Sequence, residues 1–131
     1  MRHIKALLLA LLIPALSSGQ EKAYLPGEKI NFVINYGIIQ GGAVSLELQT
    51  DTFRGRNVWH STLLGRTTGM VDAVFKVKDI YESFMEPSTG LPVFSIRNIR
   101  EGRYTKYNEV IFDHYSRPDS SVLTSDLSGV H

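Results

Sequence analysis

Residues 29–36 read KINFVINY, with Ile30, Phe32, Ile34 and Tyr36 alternating against Lys29, Asn31 and Asn35. A period of two is that of a strand, whose successive side chains point to opposite faces, and it is incompatible with the 3.6-residue period of a helix. The same alternation returns over Ala43–Asp51, where Val44, Leu46 and Leu48 oppose Ser45, Glu47 and Gln49. Further extended segments cover Val58–Leu64, which carries the single tryptophan Trp59, and then Asp79–Glu86, Leu91–Arg100 and Arg103–His114. They are separated by Gly41-Gly42, Arg54–Asn57, Pro87–Gly90 and Glu101-Gly102, all with the chemistry of tight turns. Connections this short pair neighbouring strands antiparallel, because a parallel crossover needs about a dozen residues. The sequence therefore predicts a mainly β fold, an antiparallel meander forming a curved sheet or half-barrel.

One interruption reads as a helix, near residues 69–77. Thr68 is placed to cap it, Asp72 falls in its first turn, and Lys76 and Lys78 lie towards its end, the charge order the helix dipole favours. Met70, Ala73, Val74 and Val77 recur at helical spacing and give one apolar stripe.

The first residues follow a different logic. Arg2, His3 and Lys5 precede an apolar run from Ala6 to Leu16, and Ser17-Ser18-Gly19 supplies small residues suited to cleavage. This is the three-part layout of a secretory signal peptide, and the run is too short for a membrane span of about 20 residues. The expected organisation is a signal peptide over residues 1–19, one antiparallel β domain over 20–116, and a polar tail over 117–131. After cleavage the chain is not membrane-spanning and lies outside the cytoplasm, periplasmic or extracellular. Residues 1–19 hold Arg2 and Lys5 and no acid, so the formal charge of +1 becomes −1, with 12 basic against 13 acidic residues. That balance gives no footprint for nucleic acid. With no cysteine, there is neither a disulfide framework nor a thiolate metal site, and the domain rests on its apolar core.

The local charge pattern is the most informative feature of residues 65–113. Asp79, Glu82 and Glu86 make one strand acidic, while Arg97, Arg100, Arg103 and Lys106 make the following hairpin basic. A four-residue turn at Pro87–Gly90 and a two-residue turn at Glu101-Gly102 would set Arg97 opposite Lys106 and Glu82 diagonal to Arg97, so that all three meet on one face. Read functionally, the basic cluster is an anion site for a lipid headgroup or acidic glycan; read structurally, it is a salt-bridged sheet face of small energetic weight. Tyr81, Phe84, Phe94, Tyr104, Tyr107, Phe112 and Tyr115 interleave with these charges. They serve either as packing or as a surface for sugars or acyl chains. The ligand-binding residues expected from this pattern are Arg97, Lys106, Tyr104 and Tyr36.

Catalytic signals are weak. His60, His114 and His131 show no metal-ligand spacing, and neither a Gly-x-Ser-x-Gly elbow nor a phosphate loop is present. Glu101 with Glu109, or Asp79 with Glu82, could form an acid–base pair only in the presence of a cleft. The expectation is a non-enzyme with no catalytic residues, no metal and no cofactor.

Three segments, PGEKINFVINYGIIQGGAVSLEL from Pro26, GRTTGMVDAVFKVKDIYESFMEPSTGLPVFS from Gly65 and REGRYTKYNEVIFDH from Arg100, together resemble the exported bacterial family catalogued as domain of unknown function 3108. The resemblance implies an envelope-exported, largely antiparallel β protein with no assigned activity, so it brings no catalytic residues. It also implies further strands beyond the equivalent of His114, and a chain ending at His131 is then expected to be a C-terminally truncated member.

Two functions of different class follow as expectations. One is an exported binding protein for a lipid, an acyl chain or a glycan, using the concave face of a curved sheet lined by Ile30, Phe32, Ile34, Tyr36 and the helix stripe. The other is a structural or assembly partner in the cell envelope acting through an exposed sheet edge. A hydrolase ranks last, since it would need a cleft joining His60 or His114 to a carboxylate.

Overall fold

The computed structural model describes residues 23–117 and 120–128, with position 117 and the segment 120–128 described by backbone alone. Seven antiparallel strands form one sheet in which spatial order equals sequence order: β1 (Lys29–Tyr36), β2 (Ile39–Phe53), β3 (Arg56–Thr67), β4 (Lys78–Met85), β5 (Pro92–Glu101), β6 (Tyr104–Arg117) and β7 (Ser120–Ser128). One short helix, α1 (Gly69–Val74), joins β3 to β4. The mainly β meander with a single helix is thus the observed fold. The expected signal peptide lies outside the described residues. The expected polar tail differs from what is found: residues 120–128 pair with β6 as a further strand.

Cross-strand partners share a face, so the register sorts the side chains into rows. One row runs Ile30, Leu46, Leu63, Tyr81, Arg97 and Asn108 from β1 to β6. Its neighbour, one residue along and on the opposite face, runs Lys29, Glu47, Thr62, Glu82, Ile96 and Glu109. We call these the Leu46 face and the His60 face. Across β1–β3 the Leu46 row is apolar and the neighbouring row on the other face is polar, whereas from β4 onward both faces mix apolar and charged residues.

Two turns differ from the sequence reading. β1 turns at Gly37-Ile38, since Tyr36 pairs Ile39, and Gly41-Gly42 lie inside β2. β5 turns at Gly102-Arg103, since Glu101 pairs Tyr104. Gly102 has φ 59°, and a Cβ there would come 2.7 Å from the Phe75 ring, so the position admits only glycine without rearrangement. The β4–β5 hairpin keeps the Pro87–Gly90 turn, but the register shifts between Phe84 and Met85.

Burial falls near the two ends of the strands, with Leu48, Val58 and Trp59 towards the β2–β3 tip and Ile99 beside the β5–β6 turn. These four are the buried hydrophobics among the described residues. The leading segment straps across the Leu46 face at the β2–β3 end: Gly27 N donates to Leu48 O, Tyr24 meets Trp59 edge-on at 5.9 Å, and the Tyr24 hydroxyl reaches Gly90. On the other face, Phe53 of β2 stacks on Phe94 of β5 at 4.8 Å. Three inter-strand steps of a flat sheet would separate those strands by about 14 Å, so the β2–β3 tip curls over the His60 face.

At the opposite end, α1 contacts β2, with Val71 beside Gly41, while Phe75 sits on Gly102. Thr68 occupies the N-cap position without a side-chain capping bond; Thr67 Oγ1 instead donates to Asp72 Oδ1 at 2.8 Å. The expected stripe does not pack, because Met70 is 78% and Val74 89% exposed. Within the six residues of α1, Val71 meets β2 at Gly41 and Asp72 is held by Thr67 of β3, while the following Phe75 lies on the β5–β6 turn.

Candidate functional site: an open apolar face and an end groove

The Leu46 face is apolar from β1 to β3 and largely uncovered away from the Tyr24 strap. Ile30, Phe32 and Ile34 are 46%, 54% and 55% exposed, and they continue onto half-buried Val44, Leu46 and Leu63. They lie on the face opposite the one over which Phe53 of the β2–β3 tip reaches Phe94. Tyr36, at 88% exposed, stands at the far end of β1.

Arg97 and Lys106 share this face, but not as expected. Arg97 pairs Asn108 and Tyr81, while Lys106 pairs Ile99, so the two cations are diagonal neighbours. The turn at Gly102-Arg103 accounts for this by moving the hairpin register two residues. Glu82 does not join them: it pairs Ile96 and lies on the opposite face, because the Phe84/Met85 irregularity slips the register by one residue and exchanges faces. Arg97 Nε is buried with no hydrogen-bond partner among the described residues. Tyr104 lies on the same face beside Lys106, whereas three strands intervene between Tyr36 and Arg97, so Tyr36 is not brought together with the other three.

The His60 face holds the polar constellation. His60 Nδ1 is 3.2 Å from Asp51 Oδ2, and Nε2 is 3.4 Å from Glu82 Oε1 and 3.3 Å from Thr62 Oγ1. The ring stacks on Phe84 at 4.1 Å. Glu47 accepts hydrogen bonds from Gln49 and Lys29, which hold its carboxyl below the usual range, and Glu109 accepts from the Tyr107 hydroxyl, which raises that phenol. Both ring nitrogens of His60 thus lie within contact distance of side chains of the same sheet. No group of His, Asp and Glu among the described residues has the arrangement to hold a metal ion. His114 Nε2 lies 2.7 Å from Pro92 O.

The sequence reading missed a groove at the β2–β3 end. The β4–β5 hairpin stops at Met85 and Pro92, while β2–β3 and β6 extend past it. The notch between them, about 670 Å³, has a floor that includes Phe53, Val58, Ile111 and Phe112, and Arg54, Arg56, Glu86, Asp113 and Tyr115 also line it. Tyr115 and Thr89 donate to Glu86 at 2.7 and 2.9 Å, and these bonds hold the carboxyl below its ordinary range. Asp113 is lowered by hydrogen bonds from Ser116 and from the Tyr115 backbone N–H. Unequal hairpin lengths were the available signal, but they emerge only once the turns are placed.

No helix among the described residues is long and apolar enough to cross a membrane. A family model described as "Protein of unknown function (DUF3108)" matches residues 31–118. No curated protein and no solved structure matches the chain.

Proposed function

The chain belongs to that family, and from this premise we propose that it is an exported, non-enzymatic protein of the cell envelope that binds an apolar or amphipathic ligand, a lipid or acyl chain, on the Leu46 face. The observation that carries the reading is the continuous apolar surface from Ile30, Phe32 and Ile34 onto Leu46 and Leu63, with the β1 side chains about half exposed. Exposed apolar patches of this kind mark interaction surfaces. Arg97 and Lys106, further along the same face, supply positive charge for an anionic headgroup, with Tyr104 beside them. The signal-peptide layout supports export to the periplasm or beyond.

The test is recovery of the protein from the periplasmic fraction, followed by native mass measurement and lipid extraction. A co-purifying lipid that is lost in Phe32→Asp supports the proposal. A lipid-free protein that takes up no fluorescent fatty acid overturns it. A second reading, assembly through a sheet edge, is favoured by the position of β1, which has a strand neighbour on only one side among the described residues. A stoichiometric protein partner without lipid would decide for it.

A further inference from the structure

We infer that the free edge of β1 pairs with β1 of a second copy of this chain, antiparallel about a two-fold axis at Phe32. The inference rests on the reading of assembly through a sheet edge and names its partner. Among the described residues β1 has a strand neighbour on one side only, and every residue of the strand is exposed. Natural sheets blunt such an edge with charge, with proline or with a bulge that turns it away. Along Lys29–Tyr36 there is no proline, Lys29 is the one charge, and the register shift after Ile34 places its extra residue, Gly41, on β2. The edge is therefore open to pairing.

Backbone phase selects the register. Leu48 N donates to Glu28 O, so Glu28 turns its carbonyl towards β2, and the pairing then runs without a shift to Ile34. Ladder bonds of an antiparallel pair engage alternate residues. Ile30, Phe32 and Ile34 therefore bond β2, and Tyr36, which closes the turn with Ile39, keeps the same phase. Lys29, Asn31, Val33 and Asn35 point their N–H and C=O groups outward. A two-fold axis at Phe32 sets Lys29 opposite Asn35 and Asn31 opposite Val33 of the other copy, so each of these outward groups finds a partner. An axis at Val33 would instead set Lys29 against the Gly37 turn.

The side chains make the same choice. Ile30 and Ile34 flank Phe32 symmetrically, so Phe32 meets its own counterpart and Ile30 meets Ile34 of the other copy. These are the non-hydrogen-bonded pairs, in which side chains stand closest. An apolar ladder forms from residues that are about half exposed in one chain, and on the opposite face the exposed Val33 is set beside Asn31. No like charges oppose each other, since Lys29 faces Asn35 and already pairs Glu47 of its own chain at 3.1 Å. A heterologous strand would have to match this spacing and charge, whereas a second copy does so by symmetry. The axis is normal to the sheet, so the two Leu46 faces join into one apolar surface.

The test combines analytical ultracentrifugation of the purified protein with single-cysteine crosslinking, which the cysteine-free sequence permits. The expected mass is twice that of one chain. Val33→Pro removes an outward N–H and no bond to β2, so it should raise the dimer dissociation constant about tenfold or more while leaving the circular dichroism unchanged. Phe32→Cys should oxidise to a covalent dimer, because facing residues of a non-hydrogen-bonded pair lie about 4.5 Å apart at Cα, within disulfide reach. Ile34→Cys alone should not, whereas Ile34→Cys mixed with Ile30→Cys should. A parent chain that sediments as a monomer, a dimer indifferent to Val33→Pro, or equal crosslinking by Ile34→Cys alone would overturn the inference. A monomer whose pairing with a different protein is abolished by Val33→Pro would overturn self-association and leave the edge-assembly reading standing. A monomer with no edge-dependent partner would end both.

Discussion

Two rows of side chains, one residue apart along every strand, behave in opposite ways. The row through Glu47, Thr62, Glu82 and Glu109 is self-satisfied: Lys29 pairs Glu47, His60 bridges Asp51 and Glu82, and Tyr107 binds Glu109. The row through Ile30, Leu46 and Leu63 has apolar atoms facing outward, with no layer over the β1 end among the described residues. Polar groups on a sheet can satisfy each other laterally, because hydrogen bonds and ion pairs act within the plane. Apolar groups cannot, since neighbours in a row still leave their tops in water, and only a covering surface removes that area. The face with the more conspicuous chemistry is therefore the one with less need of a partner.

Four measurements would break or sharpen this contrast. Trp59→Ala has the largest expected effect, a loss of about 3–5 kcal/mol in denaturant unfolding, because Trp59 belongs to the small part of the Leu46 face that the Tyr24 strap buries. His60→Ala should cost about 1 kcal/mol, the scale of one aromatic stack plus partly exposed charge contacts. A cost near that of Trp59→Ala would mean that the charged face, too, is a core. Phe32→Ser should shift stability by roughly 0.5 kcal/mol or less, as surface changes do, while reducing lipid uptake. A loss as large as that of Trp59→Ala would show that the open face is covered in solution.

The smallest effect concerns pH. The hydrogen bonds to Glu86 lower its folded-state carboxyl, so their contribution is present above the ordinary carboxylate range and is lost as pH falls through the lowered value. Tyr115 is raised by the same contact, so its contribution is present below the ordinary phenol value and is lost as pH rises through the raised one. Tyr115→Phe should therefore differ from the parent chain between these limits and converge with it beyond either, as measured by unfolding across pH.

The strands were legible in the sequence because a period of two leaves few alternatives, as in residues 29–36. Register was less legible, since it depends on which residue opens each turn. Gly102 takes the first turn position, under Phe75, and this moved Lys106 from Arg97 to Ile99. The irregularity at Phe84/Met85 carries no glycine or proline to announce it, yet it alone sends Glu82 to the other face. β7 was illegible for another reason: its serines and aspartate have little strand preference, and pairing with β6 overrides it. The groove followed from relative hairpin lengths, so it could be seen only after these registers were known.

The sheet order has a mechanical consequence. When every strand borders only its sequence neighbours, stability passes along the chain as nearest-neighbour coupling, and loosening at one edge stops within a strand or two. Tyr24 is a cross-tie in that ladder. By touching Trp59 on β3 and reaching Gly90 in the β4–β5 turn, it ties the segment before β1 to strands well inside the sheet. Amide exchange should then be slowest around Leu48 and Trp59 rather than at the geometric middle of the meander, and the cutting of that tie would move the slow region inward.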